Sequence, residues 1–185
     1  PSVDTTSILR KMGLVEALDS SKLTHWNDLY EAFRDHSGVS HEGQVYGVPV
    51  AWGSIAFMYM KDKFPTPPTS ASVMWDKNLS GKISMWDDKT SIYITARMLF
   101  GTEVNVYDLS DDQLEKVKDK LIAQKPLIRK YWATAGELVN LYANGEVWIS
   151  NTWGGYQSAL LAEQNIEMVE FLPEENADGW ADAWQ

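Results

Sequence analysis

The sequence predicts an α/β fold on a largely parallel sheet. Strand-like and helix-like segments alternate along all 185 residues, with no internal repeat and no low-complexity tract. The composition, 44% hydrophobic and 23% charged, is that of a chain that buries a core rather than staying disordered. In such sheets ligands sit beyond the carboxyl ends of strands, where loops lead into helices.

The elements follow from their punctuation. Asp4-Thr5-Thr6-Ser7 supplies N-cap types ahead of Ile8, Leu9 and Met12, which predicts a helix stopped by Gly13. Trp26, Leu29, Tyr30 and Phe33 keep helical spacing until residues 38–43 break it. Residues 45–60 are largely apolar, but Pro49 and Gly53 make them a long interrupted strand rather than a helix. Pro65, Pro67 and Pro68 stiffen an extended connector over residues 64–69. Ser80-Gly81 turns into a short strand over residues 82–86. Asp87-Asp88 then lead a helix through Ile92, Ala96 and Leu99, ended by Gly101. Ser110 and Gln113 form a capping box for a helix with Leu114, Val117, Leu121 and Ile122 on one face. Residues 137–143 form a helix closed by Asn144-Gly145, 146–150 a strand, 155–164 a helix, and 166–171 a strand closed by Pro173.

Several functions drop out on composition and motif. With 16 Lys+Arg against 26 Asp+Glu, a net charge of −10, the chain cannot build the basic face that nucleic acid requires. Zero Cys excludes a disulfide framework, thiolate metal sites and cysteine nucleophiles. His25, His36 and His41 share one early polar stretch without metal-ligand spacing, so no metal site is expected. Nucleophile-elbow, P-loop and dinucleotide-binding motifs are absent, which argues against an enzyme and against a cofactor. The remaining enzyme alternative is a carbohydrate-active one, with two carboxylates across a cleft and Trp platforms. Asp111-Asp112 reads as a helix N-cap favoured by the macrodipole, and Asp87-Asp88 also precedes a helix. No apolar stretch approaches the roughly 18 residues that span a membrane.

The strand-exit rule selects three places: Trp86-Asp87-Asp88, Thr152-Trp153-Gly154-Gly155, and Gly179-Trp180-Ala181-Asp182. A ring face beside a carboxylate is what a cation with an apolar stem requires. The ring quadrupole contributes about 0.5–2 kcal/mol per contact, and the carboxylate adds charge-assisted hydrogen bonds. Trp180 and Asp182, two apart, face the same side if the segment is extended. Among the nine Trp, Trp26, Trp75, Trp132 and Trp148 sit on helical or strand faces and belong to the core. Trp153 and Trp180 sit beside glycines in exit loops and are the functional candidates.

One ordered set of segments goes further. Pro1-Ser2, Gly13-Leu14-Val15 with Leu18-Asp19, Val48-Pro49 with Ala51-Trp52-Gly53, Leu79-Ser80-Gly81-Lys82-Ile83, Asp87-Asp88, Gly145-Glu146, Thr152-Trp153-Gly154-Gly155, and Pro173-Glu174 with Gly179-Trp180-Ala181-Asp182 occur in this order. The set resembles the periplasmic spermidine/putrescine-binding proteins, extracellular solute-binding components of ABC importers, along essentially the whole chain. The resemblance implies a fold like the type II periplasmic binding proteins, with two α/β lobes joined by crossing hinge strands. Residues 1–56 would be a partial first lobe, 57–168 the second lobe, and 169–185 a return strand and loop of the first. The chain opens on Pro1 and closes on Trp184-Gln185, so the expectation is a fragment lacking much of the first lobe, with any signal peptide upstream.

The resemblance also implies a polyamine or related organic cation as ligand, a membrane permease as partner, and the periplasm as location. By position, Asp88 matches the carboxylate that takes an ammonium, and Trp153 the ring that stacks on the ligand's methylenes. Trp180 and Asp182 match a pair that clamps an amine from the first lobe, and Ser2 a serine contact. Asp4 stands where the spermidine binder has a tyrosine, and Ser91 where it has a second-lobe glutamate. The expected ligand is therefore putrescine-like, differently spaced, or another cationic amine. Related binders take amino-acid-derived amines, phosphonates or iron. Asp88 and Asp182 would repel an anion, and Trp and Asp in place of tyrosine pairs disfavour iron.

Overall fold

The computed structural model describes residues 2–185, with the side chains of Asp4 and Ser7 outside the described part. In chain order the elements are α1 (Val3–Lys11), α2 (Glu31–Arg34), β1 (Ser40–His41), β2 (Gln44–Val45), β3 (Val48–Ser54), β4 (Ala56–Met60), β5 (Ile83–Trp86), α3 (Thr90–Phe100), α4 (Asp111–Gln124), β6 (Ile128–Trp132), α5 (Ala135–Ala143), β7 (Ile149–Thr152), α6 (Tyr156–Ala162), β8 (Met168–Phe171) and β9 (Gly179–Trp184). Two compact units result. One is contiguous, Ser54–Asp178; the other joins the chain up to Gly53 with Gly179–Gln185.

The contiguous unit is built on a five-stranded sheet in the order β6-β5-β7-β4-β8. β5 runs parallel to β6 and β7, while β4 is antiparallel to both β7 and β8. All strands but β4 therefore share one direction, and the carboxyl ends of β5, β6, β7 and β8 lie along one edge. β4 lies between β7 and β8, and its Ala56, Phe57, Met58 and Tyr59 are all buried, without polar alternation. α5 and α6 pack over Met58, Trp132, Leu138, Leu141, Tyr142 and Leu161. α3 and α4 close around Ala96, Val106 and Val117. The Ser110/Gln113 capping box opens α4 as its spacing predicts, and Thr134/Glu137 forms a second one on α5.

In the discontinuous unit β3 pairs with β9, and β1 with β2 across a turn in which Glu42 and Gly43 both have positive φ. Val3 of α1, Val39, Ala181 and Ala183 form its core, with Trp26 packed against them.

Four expectations need correction. α1 starts at Val3, with Ser2 as its N-cap residue, ahead of the Asp4–Ser7 run, because Val3 is anchored in the core. Residues 26–33 are not one helix. A 3-10 turn over Trp26–Asp28 ends at Leu29, which is extended, and α2 follows as a single turn with Tyr30 outside the core at 78% exposure. The interruption expected within residues 45–60 falls at Ile55, whose N–H is donated to the Asp178 carbonyl at 2.8 Å, and β3 and β4 enter different sheets. β6 was not foreseen, because it is an edge strand with only Trp132 fully buried and shows no alternation. β8 joins the contiguous unit through its pairing with β4, whereas the division drawn from sequence set residues 169–185 apart from residues 57–168.

Candidate ligand-binding site

In the contiguous unit the candidates gather where β5, β6 and β7 end. Trp86 closes β5, Trp132 closes β6, and Trp153 follows β7. The Trp86 and Trp132 rings stack at 5.5 Å, and Trp153 meets both edge-on at 5.3 and 5.4 Å. Trp132 is the buried floor, its indole N–H donated to Ser150 Oγ at 2.9 Å. Trp86 and Trp153 are half-buried. Trp153 and Trp132 were read from sequence, one as a site residue and one as core. Trp86, at one of the three strand exits that the sequence selects, adds the third ring.

The half-buried Asp88 precedes α3 and accepts the Thr90 N–H on Oδ1 at 2.9 Å. One oxygen thus takes a backbone N–H at the start of α3, where Lys89 is the cap residue, and the carboxylate retains further acceptor capacity. Ser91 is buried and donates its hydroxyl to the Trp86 carbonyl at 3.0 Å, so this side chain is turned toward the backbone. Asp87 is exposed, and it adds to partial burial in raising the Tyr131 hydroxyl above the usual tyrosine value.

The turn carrying Trp153 is held residue by residue. Gln157, fully buried, accepts the Trp153 N–H at 3.2 Å and the Thr152 hydroxyl at 2.8 Å. Gly154 has φ +78°, and a Cβ there would lie 2.9 Å from the Ser54 carbonyl oxygen, so only glycine fits. Gly155 donates its N–H to both carboxylate oxygens of Glu170, at 2.9 and 2.8 Å.

In the discontinuous unit the burial of β9 alternates. Ala181 and Ala183 point into the core, while Trp180 and Asp182 lie half-buried on the other face. Extended backbone thus puts the ring and the carboxylate side by side. The Trp180 indole lies against Gly53, where a Cβ would come within 2.7–2.9 Å of its ring atoms. Ser2 and Asp182 form an isolated antiparallel bridge, which brings Ser2 to the same pair. The Asp4 side chain lies outside the described residues.

Among the described residues neither Asp88 nor Asp182 takes part in an ion pair. Each carboxylate is therefore uncompensated within its own unit, and each unit offers a carboxylate and an indole, the pairing suited to an organic cation. Among the described residues no group of three or more His, Cys, Asp or Glu could hold a metal ion, and no helix is long and apolar enough to cross a membrane.

The profile of the family described as "Bacterial extracellular solute-binding protein" matches residues 1–184. The chain is 25% identical over 185 residues to the spermidine/putrescine-binding periplasmic protein of Salmonella typhimurium, a match covering 99% of this chain and 51% of that one. It is 26% identical over 192 residues to the putrescine/agmatine-binding protein of Pseudomonas aeruginosa, covering 94% and 51%. Among solved structures it superposes on the TpPotD lipoprotein of Treponema pallidum with a TM-score of 0.81 and 22% identity, over 99% of this chain and 57% of that one. The superposition carries the fold, the mixed α/β architecture of type II periplasmic binding proteins. The chain spans about half the length of the curated relatives it matches. Matched by the profile almost from end to end and sharing that architecture, the chain belongs to the bacterial extracellular solute-binding protein family.

Proposed function

We propose that the protein containing this chain captures a polyamine or a related organic cation in the periplasm and delivers it to the permease of an ABC importer. The contiguous unit serves as one lobe, and the discontinuous unit forms part of the other. The two chain crossings, at residues 53–54 and 178–179, are the hinge. The observation that carries the reading is the placing of Trp180 and Asp182 on one face of β9, a ring and an uncompensated carboxylate held side by side. Asp88 and Trp153 supply the same chemistry from the contiguous unit, and the names of the curated relatives agree with a cationic amine.

Calorimetric titration of the full-length protein with putrescine and spermidine tests this, with a phosphonate as the anionic control. Binding at micromolar or tighter Kd is expected for at least one amine and none for the phosphonate. Asp182→Asn removes a charge-assisted hydrogen bond of about 1.5–3 kcal/mol, a ten- to hundredfold loss in affinity. Unchanged affinity in both Asp182→Asn and Trp180→Ala would refute the site.

A further inference from the structure

Glu170 is not among the ligand candidates read from sequence, yet its geometry ties it to them. It stands on β8, on the far side of β4 from β7, and Met58 pairs with Ser150 on one flank and with Glu170 on the other. Residues directly opposite one another across paired strands share a face of the sheet. Glu170 therefore rises on the same face as the end of β7, near the edge where Trp86, Trp132 and Trp153 meet. Both of its oxygens converge on a single donor, the Gly155 N–H. Among the described residues it makes no ion pair, so no cation competes for the carboxylate.

We propose that Glu170 is a positioning residue for the ligand site, fixing the turn that presents the Trp153 ring. The proposal rests on the reading that Trp153 lines that site. Gly154 and Gly155 have φ of +78° and +75°, a backbone path that gives the turn no stiffness of its own. Stiffness comes from outside: Gln157 on the Trp153 N–H, the Ser54 carbonyl against Gly154, and Glu170 on Gly155. Only the third of these is a charged side chain, and it is rooted in a strand of the central sheet. A ring that contacts ligand through its face needs its plane held, and a hydrogen bond from a rigid strand holds it better than the loop can. A plain helix cap would leave the ligand indifferent to Glu170, and the following experiment separates the two roles.

Full-length protein is prepared as wild type, Glu170→Ala, Glu170→Gln, Trp153→Ala and the Glu170→Ala/Trp153→Ala double variant. Each is titrated calorimetrically with putrescine and spermidine, and hydrogen exchange is followed at the Gly155 amide. Glu170→Ala is expected to weaken amine binding about tenfold, the effect of losing one hydrogen bond to a charged acceptor, and to speed Gly155 exchange. Glu170→Gln keeps an acceptor oxygen and should recover most of the affinity and the slow exchange. On the Trp153→Ala background, Glu170→Ala should cost nothing further.

Affinity unchanged in Glu170→Ala overturns the proposal, as does a loss that persists without Trp153. Equal losses in Glu170→Gln and Glu170→Ala overturn it too, since they assign the residue a direct charge on the ligand. If wild type binds neither amine, the polyamine reading fails, and the exchange data decide alone. Faster exchange in Glu170→Ala than in Glu170→Gln supports the positioning role, and equal rates refute it.

Discussion

Replacing Gly53 with alanine puts a methyl group where the Trp180 indole now lies. Its Cβ would meet ring atoms Cζ2, Cε2 and Nε1 at 2.7, 2.8 and 2.9 Å, well inside van der Waals contact. Gly53 does not have a positive φ, so alanine carries no backbone penalty there, and the substitution probes the ring contact alone. Loss of glycine's freedom in the unfolded chain stabilises by about 0.4–1 kcal/mol. Overpacking a closely fitted site costs about 1–3 kcal/mol. The balance is a net loss of about 1 kcal/mol, with the indole displaced from β3. Gly136 in α5 is the matched control. It too lacks a positive φ, and a Cβ there meets nothing within 4 Å, so Gly136→Ala should stabilise by about 0.5 kcal/mol. Urea unfolding of the full-length protein measures both, and amine titration reads whether the displaced Trp180 still binds. If Gly53→Ala is as stabilising as Gly136→Ala and keeps wild-type affinity, the packing of Trp180 on β3 is wrong.

Substitutions at three further places test other parts of the molecule. Arg97 donates Nε and a terminal nitrogen to Asp178 Oδ1 at 2.9 and 2.7 Å, with Asp178 only 5% exposed. Arg97→Met strands that carboxylate and should cost about 3–5 kcal/mol in urea unfolding, most of it recovered by adding Asp178→Leu; a loss below about 1 kcal/mol would contradict the burial. Tyr142, fully buried, donates to the Met58 carbonyl at 2.6 Å, and burial, with the Glu170 charge behind it, pushes its hydroxyl well above the ordinary value. The folded state therefore holds the proton more tightly, so this stabilisation is intact below the ordinary tyrosine pKa of about 10 and falls as pH rises beyond it. Tyr142→Phe should cost about 1 kcal/mol at neutral pH and flatten the alkaline limb of the stability profile. Glu137 is held below the usual carboxylate range, first by the Ala133 N–H and then by Lys130 and the Thr134 N–H. Its contribution is present above the unfolded-state pKa and is lost on acidification through the lower folded value, so Glu137→Gln should shallow the acid limb, while Thr134→Ala costs about 1 kcal/mol at any pH.

The fold class could be read because its signals are local. The Ser110/Gln113 capping box sits within one turn, and the apolar face of α4 repeats over several. β6 could not, because an edge strand with exposed Arg129, Lys130 and Tyr131 carries no apolar period, and only its parallel partner β5 makes it a strand. Trp180 and Asp182 were readable as a pair because extended backbone turns a spacing of two into a shared face. Ser91 was named from position alone, and its inward hydroxyl depends on the geometry of the α3 turn, which no residue type announces. Glu170 was invisible for a related reason. It is a lone carboxylate in a strand, and its meaning lies in a Gly155 N–H that reaches it only through the course of the turn.

The meeting of Ile55 and Asp178 bears on the order in which the chain folds. Their backbone hydrogen bond, at 2.8 Å, joins the two ends of the contiguous unit. Before that unit forms, β9 is separated from β3 by the whole of the intervening chain, and the entropy of closing a loop grows with its length. Once it has formed, only a few residues separate the two strands. A growing polypeptide completes the contiguous unit before β9 is made, so the cheapest sequence of closures is also the order of synthesis, and β9 docks on β3 only after that unit has formed.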